Sequence, residues 1–179
     1  MNDTVSTLLA GQAATAGRKF DTDIGFILGT GTNACYIEKN KNITKTVDLD
    51  SKGNMIINIE SGNFGLMPRT DIDIAFDNTT KQPGRYTFEK MISGGYFGGL
   101  CTTALKMAAA EDVFSSETRV KMKNMDELTS EEVNNFVCGV DLPANTLTAV
   151  LLNKDDKEAA TEIINALITR AAKLTAASL

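Results

Sequence analysis

Histidine and tryptophan are absent from the 179-residue chain, and cysteine and proline are scarce. Without histidine, a Ser-His-Asp or Cys-His nucleophile and a histidine-bound metal are excluded, so acid–base chemistry falls to carboxylates, lysine or tyrosine. Three cysteines, Cys35, Cys101 and Cys138, are too few and too far apart for a disulfide framework or a zinc site. We therefore expect each cysteine to fill core space in a reducing compartment, and we assign no metal ligand.

Clustered positive charge and long apolar runs are also missing. The 18 Lys and Arg residues are outnumbered by 23 Asp and Glu and form no basic block, which argues against a nucleic-acid groove or an anionic membrane surface. No signal peptide opens the sequence, and no apolar run reaches membrane-spanning length. The sequence therefore predicts a soluble, cytoplasmic protein without nucleic-acid or membrane partners.

Local patterns predict one helix, then three strands, in the first third of the chain. Asn2 or Asp3 suits a helix N-cap, with apolar residues following at helical spacing. Strands are predicted over residues 24–28, 34–38 and 55–59, separated by glycine- or asparagine-containing breaks. Their order along the chain favours an antiparallel meander.

Mostly helices follow from residue 70 onward. Residues 71–76 fit either a strand or a helix, whereas 88–107 form a long, mostly helical stretch with glycines at 94, 95, 98 and 99. Such a glycine cluster costs a helix about 1 kcal/mol per residue relative to alanine, so we expect another group to approach the backbone there. A capping box at 129–132 opens a further helix. The last helix starts after Asn153, and its apolar face needs a partner layer.

The turn at Gly29–Ala34 reads Gly-Thr-Gly-Thr-Asn-Ala and follows a predicted strand. A dinucleotide-binding turn would need a helix to start at once, but the next residues favour a strand. No Gly-Lys-Ser/Thr motif is present, which excludes a P-loop. Two interpretations stay open: an ordinary β-hairpin, or a glycine hairpin whose backbone N–H groups and threonine hydroxyl meet phosphate.

Four motifs occur in one order along the first half of the chain. They read Asn-Asp-Thr-Val-Ser-Thr at 2–7, Gly-Thr-Gly-Thr-Asn-Ala-Cys-Tyr at 29–36, Asn-Ile-Glu-Ser-Gly-Asn-Phe-Gly at 58–65 and Pro-Gly-Arg-Tyr-Thr-Phe-Glu-Lys-Met-Ile-Ser-Gly at 83–94. In this order and spacing they resemble the large domain of eukaryotic-type hexokinases and glucokinases. The resemblance is specific from Asn2 to about Leu105 and thins beyond Ala110.

The resemblance implies an α/β fold of the actin-like ATPase, ribonuclease H-like type. Residues 1–179 would be an incomplete large domain, α+β in this fragment, with a short, mainly antiparallel sheet and several packed helices. Residues 1–110 would carry the motifs, and residues 111–179 would be mainly helical.

The resemblance also implies ATP-dependent phosphorylation of a hexose, with glucose expected, at its 6-hydroxyl. Asp3 would be the general base that takes the hydroxyl proton, and Asn2 would hold the sugar beside it. Asn33 would touch a sugar hydroxyl. Glu60 and Glu89 match the two glutamates that accept hydrogen bonds from ring hydroxyls.

For the nucleotide, the resemblance implies contacts from Gly29, Thr30 and Gly31 of the hairpin and from Gly94 of the Ser-Gly-Gly turn. The cofactor would be ATP with Mg²⁺ in the complete enzyme. Two positions depart from the pattern: Ser61 stands where many animal members have tryptophan, and Asn63 where alanine is common. These departures leave the sugar preference open.

Taken singly, the candidate side chains have ordinary explanations. Asp3 fits a helix start, Glu60 a charge at a strand end, and Glu89 with Lys90 a solvated helix surface. The four motifs in series favour the active-site interpretation for these carboxylates, because a series is far less probable by chance than any single motif.

Hexokinases carry further segments that this sequence lacks. These are an early Asp-Leu-Gly-Gly-Thr segment, a Thr-Lys pair in the small domain and a late Gly-Val-Asp-Gly segment. We therefore expect a cut chain that is inactive alone, with the remainder of a hexokinase chain, or self-association, covering its exposed apolar faces. The alternatives are a non-catalytic sugar-binding or regulatory hexokinase relative, and another actin-like family of the acetate or glycerol kinase type.

Overall fold

A computed structural model describes residues 2–15, 17–18, 20–46, 48–140 and 145–179. Within these residues a three-stranded sheet follows one helix and precedes seven more. The elements are α1 (Asp3–Ala14), β1 (Ile24–Leu28), β2 (Thr32–Lys39), β3 (Asn54–Asn58), α2 (Asp71–Thr79), α3 (Thr87–Ile92), α4 (Phe97–Ala110), α5 (Ser116–Lys123), α6 (Ser130–Val137), α7 (Thr146–Val150) and α8 (Lys154–Ala177). Short 3₁₀ turns at Asn40–Asn42 and Ser61–Asn63 flank β3.

The sheet is an antiparallel meander in the order β1-β2-β3, as predicted. Gly25 pairs with Cys35, which in turn pairs with Asn58, so these three residues share one sheet face. Helix α1 packs on this face at close range, because a Cβ on Gly25 would lie only 2.6 Å from the carbonyl oxygen of Thr4. Glycine is therefore required where the helix crosses the strand.

Two predictions about helix boundaries are resolved by capping and by glycine contacts. Residues 71–76, which fitted either a strand or a helix, belong to α2, whose N-cap Thr70 forms a capping box with Asp73. The stretch 88–107 is not one helix but two, α3 and α4. The helix stops because the N–H groups of Gly94 and Gly95 donate to carbonyls of the β1–β2 hairpin instead of to the preceding turn.

The main core lies around α4, between α5, α6, α7 and α8. Its fully buried side chains include Cys101, Leu105, Met122, Leu147 and Ile164. The predicted apolar face of α8 lies here, which confirms the expected partner layer. A smaller cluster of Phe88, Met91 and Ile92 packs α3 against the second half of α8.

Glycines at the start of α4 confirm the expected close approach to the backbone. A Cβ on Gly98 would lie 2.1 Å from the carbonyl oxygen of Leu128, and one on Gly99 would lie 2.5 Å from the ring of Phe76.

One prediction about the cysteines is wrong. Cys35 and Cys101 are buried, but Cys138 is exposed because it caps the end of α6 at the surface.

Candidate active site

The glycine hairpin between β1 and β2 is docked on the turn that separates α3 from α4. The Gly94 N–H donates to the Gly29 carbonyl at 2.8 Å, and the Gly95 N–H donates to the Thr30 carbonyl at 2.9 Å. A Cβ on Gly95 would lie 2.5 Å from the same Thr30 oxygen, so the turn needs glycine to come this close. In the described part of the chain, the N–H groups of Thr30 and Gly31 donate to no protein acceptor. Two amides at the hairpin tip are thus available to an anion.

The carboxylate of Glu89 lies directly beneath this hairpin. Its Oε2 accepts a hydrogen bond from the N–H of Thr32 at 2.8 Å. Glycines line the carboxylate on two sides, since a Cβ on Gly31 would lie 2.6 Å and one on Gly62 3.0 Å from Oε2. Glu89 is half-buried, and its Oε1 has no hydrogen-bond partner among the described residues. The carboxylate therefore uses one oxygen internally and leaves the other available.

A chain of hydrogen bonds connects Asn33 to Glu60. The Nδ2 of Asn33 donates to Oδ1 of Asn58 at 2.7 Å, and the Nδ2 of Asn58 donates to Oε1 of Glu60 at 2.5 Å. The Oδ1 of Asn33 accepts from the backbone N–H groups of Ala34, at 2.8 Å, and Ser61, at 3.3 Å. Amide and carboxylate groups from β2 and from the loop after β3 therefore meet at one place. Asn58, which lies in the third motif and has no role predicted from the sequence, is the bridge between them.

Glu60 adopts a left-handed backbone conformation, with φ of 54°. This conformation costs a non-glycine residue free energy and is typical of positions where the surrounding structure fixes a functional side chain. Neighbouring contacts hold the loop: the Tyr86 N–H donates to Oδ1 of Asn63 at 3.1 Å, and the Thr87 hydroxyl donates to the Phe64 carbonyl at 3.1 Å. Asn63, which departs from the usual alanine, thus fastens the loop that carries Glu60 to the start of α3.

The N-terminus of α1 lies over the sheet face that carries Gly25, Cys35 and Asn58. Asn2 is its N-cap, with Oδ1 accepting from the Thr4 N–H at 2.9 Å, and Asp3 lies exposed in the first turn. The Thr4 carbonyl accepts a hydrogen bond from Sγ of Cys35 at 3.4 Å, and Cys35 shares its face with Asn33 two residues away. No hydrogen bond or ion pair within the described residues joins the side chain of Asp3 to Asn33, Glu60 or Glu89. The helix start is therefore placed beside the cluster without touching it.

Lys90 is buried, with 3% of its surface exposed, and anchors the helix that carries Glu89. Its Nζ donates to Oδ1 of Asp77 at 2.5 Å, to Oγ1 of Thr80 at 2.8 Å and to the Gln82 carbonyl at 2.7 Å. These three acceptors use all three ammonium protons. Lys90 thus ties α3 to the end of α2 and to the turn between the two helices, and the solvated-surface interpretation of this residue is wrong.

The partner carboxylate, Asp77, is stabilised in its ionised form. Burial by itself raises its pKa, but the hydrogen bond from Lys90, the backbone N–H of Gly84 and the nearby positive charges of Lys90 and Arg69 together hold the pKa below its ordinary value. The Arg69 guanidinium lies 3.0 Å from Oδ2. The Asp77 carboxylate is therefore ionised at neutral pH.

A cavity of about 810 Å³ opens on the other side of the hairpin. Its lining includes Leu28 and Gly29 at the end of β1, Gly94, Ser130, and Ile168 of α8. The Ser130 hydroxyl donates to the Gly94 carbonyl at 2.6 Å, which joins the start of α6 to the docked turn. The cavity is mostly apolar and touches the hairpin glycines.

In the described part of the chain, no group of three or more Cys, Asp or Glu side chains is close enough together to hold a metal ion. Among the same residues, no helix is both long and apolar enough to cross a membrane.

The hydrogen bonds described above bring one group of predicted site residues together: Gly29, Thr30, Gly31, Asn33, Glu60, Glu89 and Gly94. Asn2 and Asp3 lie on the neighbouring helix α1.

Comparisons with known proteins agree on one family. The family model described as "Hexokinase" matches residues 23–179. Hexokinase-7 of Oryza sativa subsp. japonica is 39% identical over 140 residues, which are 75% of this chain and 29% of that protein. Hexokinase-1 of Schizosaccharomyces pombe is 44% identical over 106 residues, which are 56% of this chain and 21% of that protein.

Solved structures give the same answer for the fold. A hexokinase from Schistosoma mansoni complexed with glucose superposes with a TM-score of 0.81 at 24% identity, over 99% of this chain and 42% of that one. Another solved structure, a crystal structure of a hexokinase, superposes with a TM-score of 0.73 at 28% identity, over 99% of this chain and 39% of that one.

The fold is therefore the actin-like ATPase fold of hexokinases, present here as a fragment. The chain spans roughly a quarter of the length of the curated relatives it matches. Its matched segment covers both the docked glycine hairpin and the two carboxylates beside it. This chain belongs to the hexokinase family.

Proposed function

We propose that this chain carries the sugar-binding carboxylates and the phosphate-binding hairpin of an ATP-dependent kinase that phosphorylates the 6-hydroxyl of a hexose, with glucose as the substrate. The observation that carries the proposal is that each of the two carboxylates uses only one of its oxygens for a hydrogen bond within the protein. Glu60 uses Oε1, and Glu89 uses Oε2, for hydrogen bonds within the protein. Among the described residues the other oxygen of each carboxylate has no hydrogen-bond partner, so it can accept from a ligand.

A hexose displays adjacent hydroxyl groups, and an ionised carboxylate can only accept hydrogen bonds. Glu60 and Glu89 would therefore bind hydroxyls as donors, and Asn33, held rigid through Asn58, would place its amide beside them. A sugar that lacks the hydroxyl facing Glu89 would leave that half-buried carboxylate unpaired, whereas Glu60 is exposed and would be solvated by water instead. Such a mismatch discriminates strongly between substrates.

Asp3 is proposed as the general base. An alcohol is a poor nucleophile, so a carboxylate within hydrogen-bond reach must accept its proton as the bond to phosphorus forms. Asp3 lies in the first turn of α1, exposed and without an internal partner among the described residues, while its neighbour Asn2 fixes the helix start. Its carboxylate is thus positioned by the helix and remains free to act.

The nucleotide's phosphates fit the hairpin, where the N–H groups of Thr30 and Gly31 have no protein acceptor in the described chain. The cavity beside Gly29 and Gly94 has room for the rest of the nucleotide. When bound, ATP supplies the phosphoryl group, and the protein mainly positions the reactants. For Mg²⁺ the described residues offer no cluster of acidic ligands, and we assign it none.

The test is a glucose titration of the purified chain, followed by amide chemical shifts. Shifts are expected at residues 58–63 and 89, and Glu60→Gln or Glu89→Gln should weaken binding by at least about tenfold, because each removes a charged acceptor. Glu158→Gln, on the exposed side of α8, is the matched control and should bind as the unaltered chain does.

Enzyme assays complete the test. We expect no ATP-dependent glucose phosphorylation by this chain alone, because the segments that would grip the nucleotide from the other side are missing from its sequence. Turnover by the purified chain would contradict that expectation. Absence of any glucose-dependent shift at Glu60 and Glu89 would contradict the proposed sugar site itself.

A further inference from the structure

We infer that Glu89 is also a positioning residue for the phosphate-binding hairpin, so that one carboxylate serves both the sugar and the nucleotide. The inference rests on the proposed function, because it takes the hairpin as the phosphate site. It goes further in assigning Glu89 a role that is exercised before any sugar binds. The contact that carries it is the 2.8 Å hydrogen bond from the Thr32 N–H to Oε2.

The bond is placed where it controls the hairpin tip. Thr32 is the first residue of β2 and directly follows Gly31, whose N–H donates to no protein acceptor within the part of the chain that the structure describes. A hydrogen bond to the next amide along the chain fixes the orientation of the peptide plane between Gly31 and Thr32. The planes that carry the Thr30 and Gly31 N–H groups are held through the carbonyls of Gly29 and Thr30, which accept from Gly94 and Gly95. The Glu89 bond fixes the next plane along the chain, so the hairpin tip is held at both of its ends.

Close packing shows that the carboxylate has little freedom to move away. Gly31 and Gly62 lie against Oε2 so tightly that a Cβ on either would come within 3.0 Å of it. The rest of α3 is equally fixed, since Phe88 is buried and Lys90 makes three hydrogen bonds behind the helix. Glu89 is therefore a rigid support and not a side chain that happens to lie nearby.

The same short segment holds the hairpin from a second point. After α3, the N–H groups of Gly94 and Gly95 donate to the carbonyls of Gly29 and Thr30. The hairpin is thus held by the Glu89 side chain on its β2 side and by the turn on its β1 side. Removing the carboxylate would leave the turn contact in place and free only the β2 side, so the effect should be local.

The two roles use different oxygens. A sugar hydroxyl would bind Oε1, while Oε2 stays with Thr32. The Glu60 carboxylate, by contrast, makes no direct hydrogen bond to residues 29–32 among the described residues, and its side chain bonds only to Asn58. The pair Glu60 and Glu89 therefore offers a matched comparison: both should affect sugar binding, but only Glu89 should affect phosphate binding in the absence of sugar.

The experiment compares the unaltered chain with Glu89→Met, Glu89→Gln and Glu60→Met. Three quantities are measured without sugar: hydrogen exchange at the Thr32 amide, exchange at the Leu105 amide in the core, and the affinity for inorganic triphosphate followed at the Thr30 and Gly31 amides. Glucose affinity is measured separately.

Glu89→Met should speed exchange at Thr32 by about tenfold or more, because the amide loses a charge-assisted hydrogen bond. It should weaken triphosphate binding several-fold and leave Leu105 unchanged. Glu89→Gln keeps an oxygen acceptor of the same reach and should restore part of both losses. Glu60→Met should weaken glucose binding only, with Thr32 exchange and triphosphate affinity as in the unaltered chain.

Equal Thr32 exchange in Glu89→Met and the unaltered chain would overturn the inference, as would an equal loss of triphosphate affinity in Glu60→Met. A trans-hydrogen-bond coupling between the Thr32 nitrogen and the Glu89 carboxylate carbon of the unaltered chain decides the question even if the Met variant unfolds; its absence also overturns the inference. Failure of glucose to bind would contradict the proposed sugar site, but the Thr32 measurements would still stand.

Discussion

Replacing Lys90 with methionine should destabilise the protein far more than a substitution on a solvated helix surface, which is what the Glu89-Lys90 sequence by itself suggests. The ammonium group is 3% exposed and donates to Asp77, Thr80 and the Gln82 carbonyl. Methionine would fill similar space but leave Asp77 buried with a lost counter-charge. Removing one member of a buried ion pair costs about 3–5 kcal/mol.

The lower end of that range applies here, because Asp77 keeps two partners. Arg69 stays 3.0 Å from Oδ2, and the Gly84 N–H stays at 2.8 Å. We therefore expect a loss of about 3 kcal/mol in the free energy of unfolding, which for a domain of this size lowers the melting temperature by about 6–12 °C. Glucose affinity should fall as well, since the helix that carries Glu89 loses its anchor.

Urea unfolding followed by circular dichroism measures the effect. Lys154→Met is the matched control, because the Lys154 side chain is 85% exposed and its ion pair with Glu158 is a surface pair; its change should stay within about 0.5 kcal/mol. A loss below about 1 kcal/mol in Lys90→Met, comparable with an ordinary surface substitution, would refute the reasoning that this buried pair anchors the site.

Three further predictions follow from contacts elsewhere. Gly98→Ala would place a Cβ 2.1 Å from the Leu128 carbonyl oxygen, so thermal unfolding should show a loss of about 1–3 kcal/mol from overpacking; unchanged stability would contradict the packing described. Because the pKa of Asp77 is held below its ordinary value, its contribution to stability is present above about pH 4 and lost as pH falls towards the folded-state pKa. Asp77→Asn should therefore flatten the pH dependence of urea unfolding in that range, and an unaltered slope would argue against it. Burial raises the pKa of Cys101 to about 12, so a thiol reagent at pH 8 should modify exposed Cys138 at once and Cys101 only after denaturation; rapid modification of Cys101 would be the contrary result.

The sheet and its hairpin could be predicted from sequence because their determinants are local. Strand β1 is a short apolar run that ends at Gly29, and the next residues favour a strand over a helix. The helix starts at Thr129 and Asn153 could also be predicted, because threonine and asparagine are common N-cap residues and each stands directly before its helix.

The break between α3 and α4 could not be predicted in the same way. Its cause is a long-range contact, since Gly94 and Gly95 donate to carbonyls more than sixty positions earlier in the chain. The sequence predicts only that some other group approaches the backbone at these glycines, not which group it is. The short helices α5 and α7 were missed for a related reason: α5 is stabilised by packing on α4, and α7 by packing on α6, not by a strong sequence pattern.

Within the candidate site, the resemblance predicts which side chains act but not which contacts hold them in place. Glu89 beside Lys90 has the pattern of a solvated helix surface, and only the fold shows that Lys90 points to Asp77 while Glu89 points to Thr32. Asn58 was missed because an asparagine at a strand end is usually a turn residue. Asn58 pairs with Cys35 of β2, and this pairing places its side chain between Asn33 and Glu60.

The central claim is that polar groups from β2, from the loop after β3 and from α3 form one sugar site next to a phosphate-binding hairpin. Amide chemical shifts during a glucose titration test it most directly. We expect Asn33, Glu60 and Glu89 to shift together with a single dissociation constant, and a hexose that lacks a ring hydroxyl to bind far more weakly. Independent responses at these three positions, or no response at any of them, would argue against a single shared sugar site.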